Sequence, residues 1–379
     1  SFTSTPYYKN PKSHDSVINT YTPHPFITME RKTVDIRETK IWYWIEVIVC
    51  QQNPHKLQFF LSYFQCKILE PQKKVEKILL FHSTTTASGK SCSIDFCRAL
   101  FLTILVLEVD SVEDLFRNFN AHFLNRLFIF VDDIHKLSEK QCSKLKKKTT
   151  EKNFNYERKG ADVIPMRSYH DFILSTNEKN CYFVDTEDRR LEMIHVLEEN
   201  QSPEFWDQYY DELEDLDIMY SLFKYIENYD DAINVRSKTV RFDNESLERE
   251  RYDRMQVTYK FLLDWSQEDK PLAQIRYIKE GSHYQVKLKD LYILFKDYIE
   301  TTSSQRKRTL SNFSSDLEEV GLTVKRIRFN AEYNQGTVEV RSKAERCNCV
   351  KLSNDLLRMI YDRLKVKLRE GTEFRITDE

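Results

Sequence analysis

EKILLFHSTTTASGKSCSIDFCRALF, residues 76–101, carries the reading of the fold. Ile78 to Phe81 has the composition of a buried strand, residues 82–89 are rich in hydroxyl side chains, and Lys90-Ser91 opens a helical segment. A loop that cradles phosphate needs an apolar strand for anchorage, inward-pointing amides, a lysine for the β and γ phosphates and a hydroxyl for a magnesium ion. Gly89, Lys90 and Ser91 supply the last three. Thr84 stands where G-x-x-x-x-G-K-[ST] has its first glycine, so either the loop is entered differently or its cradle is imperfect.

Two later segments are able to return to this loop. In RLFIFVDDIHKL, residues 126–137, the apolar run Leu127 to Val131 ends in Asp132 and Asp133. Carboxylates at the carboxyl end of a buried strand hold a metal or polarise an attacking water, although an ordinary acidic turn reads the same way. Phe172 to Thr176 is another short strand ending on Asn177, an amide suited to orienting water near a γ-phosphate. Glu187-Asp188-Arg189-Arg190 follows, ahead of the apolar-rich stretch from Leu191. An arginine reaching across a subunit boundary neutralises charge on a transferred phosphoryl group; a capped turn between strands is the plainer reading.

In this order, residues 76–195 resemble the ATPase core of the superfamily 3 helicases, in the primase-helicase branch of DNA viruses, phages, virophages and mobile elements. Ser111-Val112-Glu113-Asp114-Leu115-Phe116 and Phe119-Asn120 resemble the segment before that family's acidic strand, and Arg158-Lys159-Gly160-Ala161-Asp162 its DNA-facing hairpin. The resemblance implies an α/β P-loop core of AAA+ type that uses ATP and Mg2+. It places Thr84, Ser88, Gly89, Lys90, Ser91 and Cys92 around the nucleotide and Ser91 and Asp132 on the metal. Asp133 would activate water, Asn177 would sense phosphate, Arg189 or Arg190 would act in trans, and Lys159 would contact DNA in a central channel. Single-stranded or forked DNA, a homo-oligomer (a hexamer by family habit) and a primase or polymerase partner are implied with it.

The chain has 379 residues, enough for two or three domains. Its formal charge is −2, with 58 Lys+Arg against 60 Asp+Glu, so nucleic-acid contact must come from local patches. Mean hydropathy is −0.61, and no segment has the length and purity of a membrane span. Six glycines are few for this length, so the depleted loop fits a chain-wide scarcity. Of eight cysteines only Cys347 and Cys349 are close, a poor zinc signal. The opening SFTSTPYYKNPKSHD lacks the pattern of a secretion signal, which sets an intracellular location with reduced cysteines as the expectation. An initial serine also fits a fragment of a longer protein.

Residues 1–72 are expected to form an irregular arm and two helices, Asp35 to Gln51 and His55 to Leu69, serving as an oligomerising collar or a simple packing subdomain. Residues 73–200 form the ATPase core, and 201–284 a helical extension and linker with an acidic first helix striped by Trp206, Tyr210 and Leu213. Lys144, Lys146, Lys147, Lys148 and Lys152 track a DNA backbone or simply solvate a helix. Within 285–379, helix, basic turn, helix and a two-stranded wing made of Val324 to Phe329 and Thr337 to Arg341 suggest a winged helix, ahead of a terminal helix over 352–367. Its Arg306, Lys307 and Arg308 are candidates for phosphate contact, with an incidental basic loop as the alternative. The leading function is an ATP-dependent replicative DNA helicase. An ATPase-deficient, DNA-binding or structural descendant is the alternative that Thr84 favours, and primase or polymerase activity is disfavoured because no carboxylate set precedes the core.

Overall fold

The computed structural model describes residues 2–3, 5–7, 18–19, 21, 23–85, 88–157, 159–160, 162–178, 181–182, 189–197, 199, 201–243, 252, 255–268, 271–275, 277–302, 309–329, 332–335, 338–341 and 345–363. The chain divides into two units, residues 1–247 and 248–379.

In the first unit, β1 (Phe2–Thr3) and β2 (Ile18–Asn19) make a short parallel pair. The short helix α1 (Lys40–Tyr43) runs directly into a π-helical stretch, Trp44–Val49, and then α2 (Pro54–Leu69). Asn53 caps α2, its side-chain oxygen accepting from the amides of His55 and Lys56, with Pro54 at the position that needs no amide. Next come β3 (Ile78–His82), α3 (Cys92–Phe101), β4 (Val106–Val109), β5 (Phe128–Val131), α4 (Glu139–Thr150), β6 (Asn153–Tyr156), β7 (Ile164–Arg167), β8 (Asp171–Thr176), β9 (Leu191–His195), α5 (Pro203–Glu214) and α6 (Leu216–Glu227).

Five of these strands form one parallel sheet in the order β4-β5-β8-β3-β9. β3, β5 and β8 are buried throughout, as near-continuous apolar runs demand when both faces of a sheet are covered. Successive side chains go to opposite faces. Leu79, Phe81, Phe128, Phe130, Ile173 and Ile194 join Trp44, Phe60, Phe64 and Phe96 in one core cluster. Ile78, Leu80, Ile129, Val131, Phe172 and Leu174 join Leu115, Ile134, Leu145 and Tyr182 in another. Each fully buried aromatic or aliphatic side chain contributes about 1.5–3 kcal/mol relative to exposure.

The divisions expected near residues 72 and 200 run through this shared core, because α1, α2, α5 and α6 all pack into the cluster on the first face. Buried ion pairs fasten the same segments. Lys67 Nζ meets Asp171 Oδ2 at 2.7 Å with neither side chain exposed, and the amides of Val75 and Glu76 also donate to Asp171. Lys77 Nζ meets Glu192 Oε1 at 2.6 Å, and Glu192 accepts from the Phe242 amide.

The second unit has helix Val257–Ser266, a hairpin of β10 (Tyr277–Glu280) and β11 (His283–Lys287), and helices Leu288–Thr301 and Leu310–Glu319. β12 (Val324–Phe329), β13 (Glu332–Gln335), β14 (Val338–Arg341), β15 (Glu345–Leu352) and helix Asn354–Arg363 complete it. Its antiparallel sheet has the order β10-β11-β15-β12. The expected wing pairing is corrected here: β12 pairs with β15, while β13 and β14 pair with each other. β15 shows no clean alternation in sequence, yet it carries Val350 and Leu352 into a core with Phe261, Phe295, Phe313 and Leu317. Helix Val257–Ser266, expected as part of a linker, is a core element of this unit. Among the described residues, no helix is long and apolar enough to cross a membrane.

Candidate functional site

In a parallel sheet every strand delivers its following loop to the same edge, and ligands bind outside the carboxyl ends. Because β8 is inserted between β5 and β3, the residues after these three strands become neighbours. Register makes the arrangement local: Phe81 lies opposite Ser175, and Val131 opposite Leu174. The tip of β8 therefore sits between the loop after β3 and the acidic pair after β5.

Two hydrogen-bonded chains result. Lys90 is buried, and its Nζ donates to Asn177 Oδ1 at 2.5 Å, to the Thr85 carbonyl at 3.0 Å and to Ser88 Oγ at 3.3 Å. Asn177 Nδ2 donates in turn to Asp133 Oδ1 at 3.2 Å. The exposed Ser91 hydroxyl donates to Asp132 Oδ2 at 3.0 Å, and Ser175 Oγ donates to the other oxygen of Asp132. Asp133 adopts φ +47, with its amide donating to Ser175 Oγ at 3.1 Å. Ser175 thus buttresses both aspartates. Its position on an apolar strand hid that role in the sequence.

Gly89 has φ +84, and a Cβ added there would lie 2.4 Å from Cη2 of Trp206. Both facts require glycine. Trp44, in the π-helical stretch, donates its indole N–H to the Gly89 carbonyl at 3.1 Å. Cys92 begins α3, its thiol pushed up to about 11 by burial and 3.3 Å from the Tyr210 hydroxyl. Thr84, at the loop entry, is exposed. A pocket of about 250 Å³ is lined by Ser88 to Cys92, Trp206 and Tyr210. The two rings were legible only as a helical stripe, since i,i+4 spacing is the same for a core face and a pocket wall.

The remaining candidates lie elsewhere. The Arg190 carbonyl accepts from the Ile78 amide at 2.6 Å, which puts Arg189 and Arg190 at the amino edge of the sheet. β3 has five residues, so roughly 16 Å of strand separates that edge from the loop carrying Lys90. One chain does not bring these arginines to its own lysine. Lys159 and Gly160 are exposed at the turn between β6 and β7, with Gly160 at φ +77. Asn120 anchors the hairpin: its Nδ2 donates to the Asn155 carbonyl at 2.7 Å and its Oδ1 accepts from the Glu157 amide at 2.9 Å. Of the lysine run, Lys144 and Lys146 lie over the rings of Phe116 and Tyr182. Arg306, Lys307 and Arg308 lie outside the described residues.

The donor set fits a phosphate with a hard cation. A hydroxyl and a carboxylate oxygen 3.0 Å apart suit magnesium, which takes few protein ligands and fills the rest with phosphate oxygens and water. Among the described residues no cluster of three or more His, Cys, Asp or Glu offers a protein-only metal cage.

Residues 81–190 match the model of a family of unknown function, DUF5906. No curated protein matches the chain. Among solved structures, the chain is similar to the apo structure of the NrS-1 C-terminal region at 14% identity and a TM-score of 0.61, covering 91% of this chain and 83% of that one. A second apo form of the same region gives 14% identity, a TM-score of 0.59, and coverages of 85% and 82%. At this identity the likeness is one of fold: mixed α/β with a five-stranded parallel sheet.

Proposed function

We propose that the chain is an ATP-dependent DNA helicase whose ATPase centre is the carboxyl edge of the parallel sheet. The observation that carries this reading is the pair of hydrogen-bonded chains Lys90–Asn177–Asp133 and Ser91–Asp132–Ser175, gathered from three adjacent strands. Lys90 would hold the β and γ phosphates, and Ser91 and Asp132 would hold Mg2+, which supplies charge neutralisation when bound. Asp133 accepts a proton from water, and Asn177 spans the lysine and that carboxylate so that it senses the terminal phosphate. Arg190, or Arg189, serves the neighbouring subunit's site. Lys159, on an anchored and exposed hairpin, contacts the backbone of single-stranded DNA. In the second unit, helices Leu288–Thr301 and Leu310–Glu319 with β12 and β15 form the winged-helix element of the reading, and a primase or polymerase is the natural partner.

Phosphate release measured with and without single-stranded DNA tests this. Wild type should be stimulated by DNA, and Lys90→Ala should fall to background. Equal background rates in both would remove the enzyme reading. One observation favours the second reading, a non-hydrolysing descendant: Thr84 replaces glycine at the loop entry, so nucleotide binding without turnover would be the outcome there.

A further inference from the structure

We propose that Trp206 and Tyr210 of α5 form the nucleobase platform of this site, stacking the flat base of a nucleoside triphosphate whose phosphates run along Ser88 to Cys92. The inference rests on the phosphate-site reading above and adds the other half of the ligand. The pocket is lined by the loop from Ser88 to Cys92 together with Trp206 and Tyr210, the indole edge of Trp206 lying against Gly89. Asn177 and Asp133, the groups suited to the terminal phosphate, are not part of that lining. That sets a polarity: the reacting end faces the tip of β8, and the nucleoside end faces α5.

The two rings are held in place, yet keep open surface. Tyr209, between them and the core, packs on Trp206 at 5.7 Å and on Trp44 at 5.8 Å between ring centroids, and its hydroxyl donates to the Cys92 carbonyl at 3.4 Å. The Ile41 amide donates to Glu212 Oε2 at 3.0 Å, tying α5 to α1. Trp206 is half-buried and Tyr210 is 43% exposed. A large aromatic surface left open beside a buried lysine suits a ligand that is anionic at one end and a flat π-system at the other. Stacking of this kind is tolerant of base identity, since every base has a π-face.

The test compares ATP with inorganic tripolyphosphate, which has the phosphates and no base, by calorimetric Kd. Wild type should bind ATP more tightly than tripolyphosphate. Trp206→Ala should weaken ATP by about tenfold or more and leave tripolyphosphate unchanged, Trp206→Phe should keep most of the ATP affinity, and Lys90→Ala should weaken both ligands. Unchanged or tighter ATP binding in W206A, with K90A still defective, would overturn the platform and leave the phosphate site standing. Loss of both ligands in W206A and W206F alike would make the ring a brace for the loop and also overturn it. A wild type that binds neither ligand would overturn the platform and the phosphate site together.

Discussion

Lys90 and Lys67 show how differently two buried lysines act in one chain. Lys90 gathers a side-chain amide, a hydroxyl and a backbone carbonyl, all neutral acceptors that a phosphate is able to replace. Lys67 is matched to a carboxylate with no exposed surface on either partner. Burying such a pair gains little net stability, but removing one partner strands the other charge. Lys67→Met should therefore lose roughly 3–5 kcal/mol, seen as a lower denaturation midpoint. Lys73→Met, which breaks the exposed Lys73–Glu70 pair, should change it little. Equal losses in the two variants would contradict the assignment of Lys67 and Asp171 as a dehydrated pair.

At the scale of elements, a few side chains hold short segments in place. Asn120 uses both ends of its amide to hold the β6–β7 hairpin, so Asn120→Ala should loosen the element that bears Lys159 without touching the phosphate loop. DNA stimulation of ATP hydrolysis should drop severalfold while ATP affinity stays as in wild type, and a parallel loss of both would place Asn120 elsewhere in the mechanism. His24 fastens residues 23–31 to α6 by stacking on Phe223 at 4.6 Å and accepting from the Phe26 amide. Burial, aided by Lys224, pushes it down from 6.5 to about 4. Between those values the unfolded chain takes a proton that the folded chain refuses, so stability falls as pH falls through this window and is fully retained above it. Wild type should lose on the order of 1 kcal/mol more than His24→Asn between pH 7 and pH 5, measured from denaturation midpoints; parallel pH curves would refute this. The elements were unevenly legible in sequence. β3, β5 and β8 announced themselves because a strand buried on both faces is apolar at every position. β15 did not, since Glu345 to Leu352 mixes charged, polar and apolar residues and its pairing with β12 is set by residues more than a dozen positions away. Lys90, Ser91, Asp132, Asp133 and Asn177 stand out as candidates in the sequence because each ends or follows such a strand. Ser175, Trp44, Trp206 and Tyr210 were hidden, their residue types being equally at home in a core.

For the molecule as a whole, the separation of Lys90 from Arg189 and Arg190 poses the question of what completes the site. The arginines sit at the amino edge of the sheet and the lysine beyond its carboxyl edge, so this fold keeps them apart within one chain. A head-to-tail neighbour would bring them together, because the two edges are different surfaces and a heterologous contact of this kind closes into a ring when its rotation allows. Of the helices before residue 72, read as a collar or as a packing subdomain, α2 is buried within its own unit over most of its length. The contact we expect is therefore arginine edge to phosphate-loop edge, in a closed ring. Mass measurement with an ATP analogue and single-stranded DNA should show a closed multimer. Lys90→Ala and Arg190→Ala subunits, each inactive alone, should regain part of the wild-type rate on mixing, at junctions where an intact Lys90 meets an intact Arg190. If Arg189 is the acting residue, rescue appears with R189A in place of R190A. An active monomer, or full activity in both single arginine variants and in the double variant, would show that the site is complete without a neighbour.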